Sequence, residues 1–259
     1  MMIKQLEADV RSIISGFHTS IGLMIKDEKD TININANMTM PAASVIKIPI
    51  ILEAFRQAEQ ENLNLSERVK VPAESRVGGS GVLQALSEDV SMTLLDVLTL
   101  MIIVSDNTAT NLALKRVGID NVNRLSRQLE CYQTEIQRYF MDMKAAEKGL
   151  ENTTTAGDMV NFLEEIALPR ILSRVSAKHI FHIMTRQQLT SKLPAYRTND
   201  NIVIANKTGE LSDAEHDAGI FQNQDRTVFA AVLMDGVSDH VTAQQAIARV
   251  GKAIMDRNY

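Results

Sequence analysis

Three short segments of this 259-residue chain carry the residue types that acyl transfer requires. Ser44-Val45-Ile46-Lys47 sets a hydroxyl and an amine three residues apart, which puts both on one face of a helix. A serine hydroxyl is a weak nucleophile at neutral pH and needs a base. Lys47 can be that base if desolvation and nearby positive charge lower its pKa. The free N–H groups of a helix entrance also favour negative charge on an incoming acyl oxygen. Ser105-Asp106-Asn107 adds a second hydroxyl, read as a proton relay, and an amide for a substrate amide, with Asp106 turned inward to hold the turn. In Lys207-Thr208-Gly209, Lys207 supplies positive charge near Ser105 and a substrate carboxylate, and Thr208 donates to that carboxylate. Gly209 lets substrate backbone come close. The backbone N–H groups of Ser44 and Glu210 complete an oxyanion hole. Singly, each segment reads as a capping serine or a solvated lysine. Together, in this order, they point to a serine acyl-enzyme.

The elements that must position these residues follow from hydrophobic periodicity. Residues 2–17 carry apolar side chains at three- and four-residue steps and predict an amphipathic helix. Segments 20–26 and 31–36, separated by Asp27-Glu28-Lys29-Asp30, predict a hairpin. Helices are expected over 45–60, with Ser44 at the entrance, over a fully buried 92–104, and over 108–116, 119–129, 153–165 and 176–190. Residues 76–81 read as a Gly-rich loop. The period then changes to two: strands are expected over 201–206, 217–222 and 227–234, with Lys207 ending the first and His216 in a flanking turn. A helix over 242–255 closes the chain. The fold class is α/β (α+β), an antiparallel sheet flanked by helices plus an inserted all-helical subdomain. Residues 1–42 and 195–259 form the α/β part and residues 43–194 the helical part of a single domain.

Composition excludes several classes. Lys plus Arg is 27 against 32 for Asp plus Glu, so no basic face suggests nucleic acid. The single cysteine, Cys131, rules out an intrachain disulfide and reads as filler. Glu7, Asp9 and Arg11 interrupt the N-terminal apolar pattern, and no signal peptide or membrane span is recognised. The expectation is a cytoplasmic protein, or an exported one whose signal peptide has been removed. It acts on a small-molecule substrate, as a monomer or weak homo-oligomer. His179 and His182 stand three apart without the flanking pattern of a metalloprotease, so no metal or cofactor is expected.

The three segments match S-x-x-K, S-D-N and K-T-G, and the chain resembles the class A β-lactamases among the penicillin-recognising serine enzymes. The likeness extends to Met92–Asp96, to Ser105–Leu112, and to Glu151-Asn152-Thr153-Thr154-Thr155, which is similar to the exit of that family's Ω-loop. The resemblance implies a β-lactamase/transpeptidase-like fold and hydrolysis of a cyclic amide through an acyl-Ser44 intermediate. Two departures stand out. The family's Ω-loop carries a Glu that activates the deacylating water, with an Asn four residues later, and 138–150 lacks that pattern. Asp142 and Glu147 are its only carboxylates, with Asp142 the better candidate base. Glu210 puts an acidic side chain where small residues are common. Slow deacylation is implied. The alternatives left open are a related serine esterase or peptidase, and a covalent penicillin-binding protein with little turnover.

Overall fold

The computed structural model describes residues 2–87, 89–198 and 201–258. The amphipathic N-terminus forms α1 (Met2–Ile14), and β1 (Ser20–Lys26) pairs with β2 (Thr31–Ile34) in the expected hairpin. The Asp27 carboxylate closes that turn by accepting from the Lys29 and Asp30 N–H groups. After β3 (Met40–Pro41), a 3₁₀ turn over Ala43–Ile46 leads into α2 (Lys47–Glu59). The small ribbon of β4 (Arg68–Lys70) and β5 (Ser91–Thr93) precedes α3 (Leu94–Ile103), whose start is fixed by a capping box between Thr93 and Asp96.

Next come α4 (Asn107–Val117), capped by Asp106, α5 (Ile119–Gln128) and the one-turn α6 (Met143–Ala146). The short β6 (Thr153–Thr154) pairs with β3. Thr155 caps α7 (Ala156–Ala167) and Ser173 caps α8 (Arg174–Thr185). The chain closes with β7 (Val203–Leu211), β8 (Ala214–Gln222), β9 (Thr227–Asp235) and α9 (His240–Asn258).

The main sheet has the order β2-β1-β9-β8-β7 and is antiparallel throughout. The N-terminal hairpin therefore joins the C-terminal meander, as the α+β reading expects, and β7 lies at an edge. Both faces are covered. Along β9, Phe229, Ala231 and Leu233 enter the core shared with Ile48, Leu52 and Phe162, while Val228, Ala230, Val232 and Met234 meet Val10, Ile247 and Ile254 of α1 and α9. A strand buried on both faces reads as a continuous apolar run, which is why β9 is so plainly marked in the sequence. Among the described residues no helix is long and apolar enough to cross a membrane.

Several boundaries differ from expectation, each because pairing outranks local pattern. β7 and β8 stay in register from Val203↔Gln222 to Leu211↔Ala214. Lys207 is therefore mid-strand instead of ending one, and His216 lies inside β8 instead of in a turn. The polar 207–216 stretch hid both, since its buried polar side chains bond to neighbours that alternation cannot reveal. Residues 91–93 are strand, and the buried helix begins only at Leu94.

Gly251 of α9 lies against the Leu193 carbonyl so closely that an added Cβ would overlap it. Gly-to-Ala in a helix interior ordinarily gains about 0.5–1 kcal/mol. Here Gly251→Ala is expected instead to lower stability by about 2 kcal/mol or more through overpacking, read as a lower urea midpoint with unchanged slope.

Candidate active site

The 3₁₀ turn eclipses side chains three apart, so Ser44 and Lys47 stack on one face where the turn meets α2. Ser44 does not cap a helix. The cap positions are Ala42 and Ile46, neither with a side-chain cap bond. The residue before Ser44, Ala43, is held at φ 45°, and Ser105 at φ 55°. Left-handed backbone at non-glycine residues is strained and clusters where function requires a fixed geometry.

Lys47 is fully buried. Its Nζ donates to the Ser105 carbonyl at 2.7 Å, Ser105 Oγ at 3.1 Å and Asn107 Oδ1 at 3.0 Å. From the edge strand, the buried Lys207 Nζ reaches the same Ser105 Oγ at 3.0 Å and the Thr208 carbonyl at 2.7 Å. Two amines from opposite sides of the molecule thus converge on one hydroxyl. Burial, and then the charge of Lys207, hold Lys47 well below the usual lysine range despite Asp106 nearby. Burial brings Lys207 to about 7, with Asp217 opposing the shift. At neutral pH a proton can be passed between these groups, which is what a base and a relay require.

Asp106 is the anchor beneath. It is 1 % exposed and accepts from the N–H groups of Val82 at 2.6 Å, Leu83 at 2.8 Å and Ala109 at 2.8 Å. Gly81, at φ 111°, leaves room for that carboxylate, where a Cβ would collide with it. Asn107 ties the same loop from its other end, donating from Nδ2 to the Gly78 carbonyl at 3.1 Å. The Gly-rich loop and the Ser-Asp-Asn turn are therefore one unit.

A cavity of about 540 Å³ opens above, lined by Ser44, Asn107, Phe140, Glu151 and Glu210 among others. Thr208 is 5 % exposed, and Gly209 faces the nucleophile's own turn, its missing Cβ leaving 3.2 Å to the Ser44 nitrogen. Glu210 sits at the rim. Strand alternation puts its side chain on the face of Asn206 and of its register partner Glu215, opposite Lys207 and Gly209. That face also carries Thr208, the expected donor to a substrate carboxylate, and Glu210 still lines the cavity.

Asp142, expected as the base, is not brought to the cavity. Its carboxylate caps α6, accepting from the Ala145 N–H at 3.0 Å. Glu147 is exposed at the C-terminal cap of that short helix. The group facing Lys47 is Phe140, whose ring centroid lies 4.6 Å from Nζ. Asn111 fixes Phe140 by a reciprocal pair, Nδ2 to the Phe140 carbonyl and the Phe140 N–H to Oδ1, both 2.9 Å. Sequence reasoning missed this pair because it searched the loop for carboxylates. Its neck is held by Asn152, which accepts from the Gln137 and Arg138 N–H groups, and by the Arg138–Glu151 ion pair. That bidentate pair, with both contacts at 2.9 Å, pins the cavity-lining carboxylate of this stretch in place. Cys131 is buried, and burial pushes its thiol up, out of reactive range.

The fold and site define a serine enzyme in which two buried lysines converge on one hydroxyl. The model of the β-lactamase enzyme family matches residues 5–257, and the chain belongs to that family as a class A β-lactamase-like serine hydrolase. The β-lactamase CARB-4 of Pseudomonas aeruginosa is 25% identical over 259 residues, covering 98% of this chain and 86% of that one. Among solved structures, a β-lactamase from Sphaerobacter thermophilus superposes with TM-score 0.92 at 27% identity, covering 98% of this chain and 97% of that one. PBP-A superposes with TM-score 0.87 at 26% identity, covering 97% and 95%. A leucine-to-glutamate mutant of PBP-A, solved as an acyl-enzyme complex with penicillin G, gives the same score and identity over 98% and 96%.

Asp106→Ala would leave three backbone N–H groups beneath the site unpaired. The expected cost is about 3 kcal/mol, seen as a lower midpoint in urea. The same variant should lose reactivity of Ser44 toward a serine-directed phosphonate, since Ser105 and Asn107 lose their support.

Proposed function

We propose that the protein acylates itself on β-lactams at Ser44 and releases the product slowly, acting as a covalent penicillin binder with little turnover. Lys47 takes the Ser44 hydroxyl proton as Oγ attacks the carbonyl carbon. The oxyanion receives the N–H groups of Ser44 and Glu210. As the amide C–N bond breaks, Ser105 gives its proton to the leaving nitrogen and is resupplied through Lys47 or Lys207. Lys207 also offers positive charge to a substrate carboxylate, and Asn107 an amide at the cavity wall.

One observation carries the slow second half: Phe140, held by Asn111, is the group over Lys47, in a stretch without the Glu that the resemblance leads one to expect. A phenyl ring accepts no proton and excludes the water that must attack the ester. PBP-A and its penicillin G acyl-enzyme mutant among the structural neighbours support the reading.

Intact mass during incubation with penicillin G should show a one-to-one adduct that persists for hours and is absent in Ser44→Ala. Phe140→Glu should clear the adduct about 100-fold faster, the scale of a general base. Rapid clearance by the wild type would refute slow release, and no adduct at all would refute the β-lactam reading.

The pH profile has a definite sign. Lys47 must be neutral to act, so the second-order acylation rate rises as pH climbs through its depressed pKa. Lys207 must be charged to hold a carboxylate, so the rate falls above about 7. The expected profile is a bell, reporting the free enzyme. Lys207→Arg, which stays charged, should abolish its alkaline limb. A flat profile for the wild type from pH 6 to 9 would contradict this assignment.

A further inference from the structure

Behind the edge strand, on the face away from Ser44, lies a buried lysine that no motif marks. Lys192 is 2 % exposed, in the irregular segment between α8 and β7. Its Nζ donates to the Gly209 carbonyl at 2.7 Å and the His216 carbonyl at 3.1 Å, and it forms an ion pair with the fully buried Glu215. The ammonium thus has two carbonyl acceptors and a carboxylate counter-charge.

Gly209 and His216 are register partners, so the ammonium sits over the seam between β7 and β8. There are no cis peptides among the described residues, and a trans peptide points its C=O and N–H in opposite directions. With the Gly209 carbonyl turned toward Lys192, the N–H of the same peptide, which belongs to Glu210, points to the open edge of the sheet. That edge is where Glu210 and Ser44 line one cavity. We infer that Lys192 is a positioning residue for the oxyanion hole: it fixes and polarises the Gly209–Glu210 peptide from behind, making the Glu210 N–H a stronger and better-aimed donor. The inference rests on the acyl-Ser44 reading for its chemistry. Its geometry is independent of which acyl group is transferred.

The physical reason is charge at the acceptor end. An ammonium on a carbonyl oxygen draws density from the whole planar amide, and hydrogen bonds in such a chain strengthen one another where water is excluded. The donor is then ready before the oxyanion forms, so no reorganisation is needed during reaction.

Lys192 is itself held rigidly. The Ala195 N–H donates to its carbonyl at 2.9 Å, the Leu193 N–H donates to Asp217 at 3.0 Å, and the Leu193 carbonyl lies against Gly251 of α9. Glu215 is fixed in turn by His240 and by Gln244, each at 2.9 Å, both from α9. The C-terminal helix thus braces the back of the oxyanion hole.

The test uses two probes on the wild type, Lys192→Met and the double variant Lys192→Met/Glu215→Gln. The double variant removes the Glu215 charge together with that of its ion-pair partner and keeps an amide for His240 and Gln244, so it serves if the single variant does not fold. An arylboronic acid forms a tetrahedral Ser44 adduct that occupies the oxyanion hole without any β-lactam chemistry. Its affinity, measured by calorimetry, should fall about tenfold or more in the variants, a fraction of the loss seen on deleting a whole oxyanion donor. In the penicillin acyl-enzyme, the ester carbonyl stretch should move to higher wavenumber as its hydrogen bond weakens. Folded variants with unchanged boronate affinity and an unchanged carbonyl band would overturn the inference and leave Lys192 a structural residue. A wild type that takes boronate but not penicillin would refute the β-lactam reading alone, with the boronate comparison still deciding this one. A wild type that takes neither would refute both.

Discussion

Two amines sharing one buried hydroxyl set the terms for everything around them. Lys47 arrives from the helical side and Lys207 from the edge strand, and both bond Ser105 Oγ. Two ammonium ions so placed would repel each other in a medium that screens poorly. The pair is stable only if at least one proton is given up, and on the proposed mechanism that surrender creates the base. Burial is therefore the source of reactivity as well as its cost. The surrounding polar residues keep the arrangement fixed: Asp106 gathers three backbone N–H groups beneath it, and Asp217, brought by burial to about 6, accepts from Asn206 and Leu193 behind Lys207.

The sheet edge has the complementary task. β7 pairs on one side with β8 and presents its other side to the cavity. An unpaired strand edge is usually a hazard, because its N–H and C=O groups seek partners. Here the edge is packed against the nucleophile's turn, with Gly209 permitting the approach, and its remaining N–H is available to an acyl oxygen. Lys192 loads the same peptide from the rear. The edge strand is thus a fixed electrostatic surface held between two lysines, Lys207 on the site side and Lys192 on the other.

Phe140 brings an aromatic ring against the buried lysine of the site. Its backbone is clamped by two hydrogen bonds to Asn111, so the ring is not a loosely placed hydrophobe. A cation–π contact also favours a charged Lys47 by about 0.5–2 kcal/mol, which opposes the depression caused by burial. On the proposed mechanism this contact therefore bears on the acylating base, and the balance between the two lysines is set partly by a residue with no acid–base chemistry of its own.

The sequence by itself determined the fold class, the family and the triplets, because these depend on residue type, order and period. β9 was legible since both its faces are buried. What only the tertiary structure decided depends on pairs distant in sequence. Lys47 and Lys207 meet at Ser105 through the packing of α2, α4 and β7. Asp142 looked inward by its apolar neighbours, yet its carboxylate is taken by its own short helix, and Phe140 stands at the site because Asn111, far earlier in the chain, holds it. Lys192 carried no signal at all, since a lone lysine in an irregular segment reads as solvated. Burial against the Gly209 and His216 carbonyls and Glu215 gives it a role, and burial is a property of the assembled fold, not of the residue.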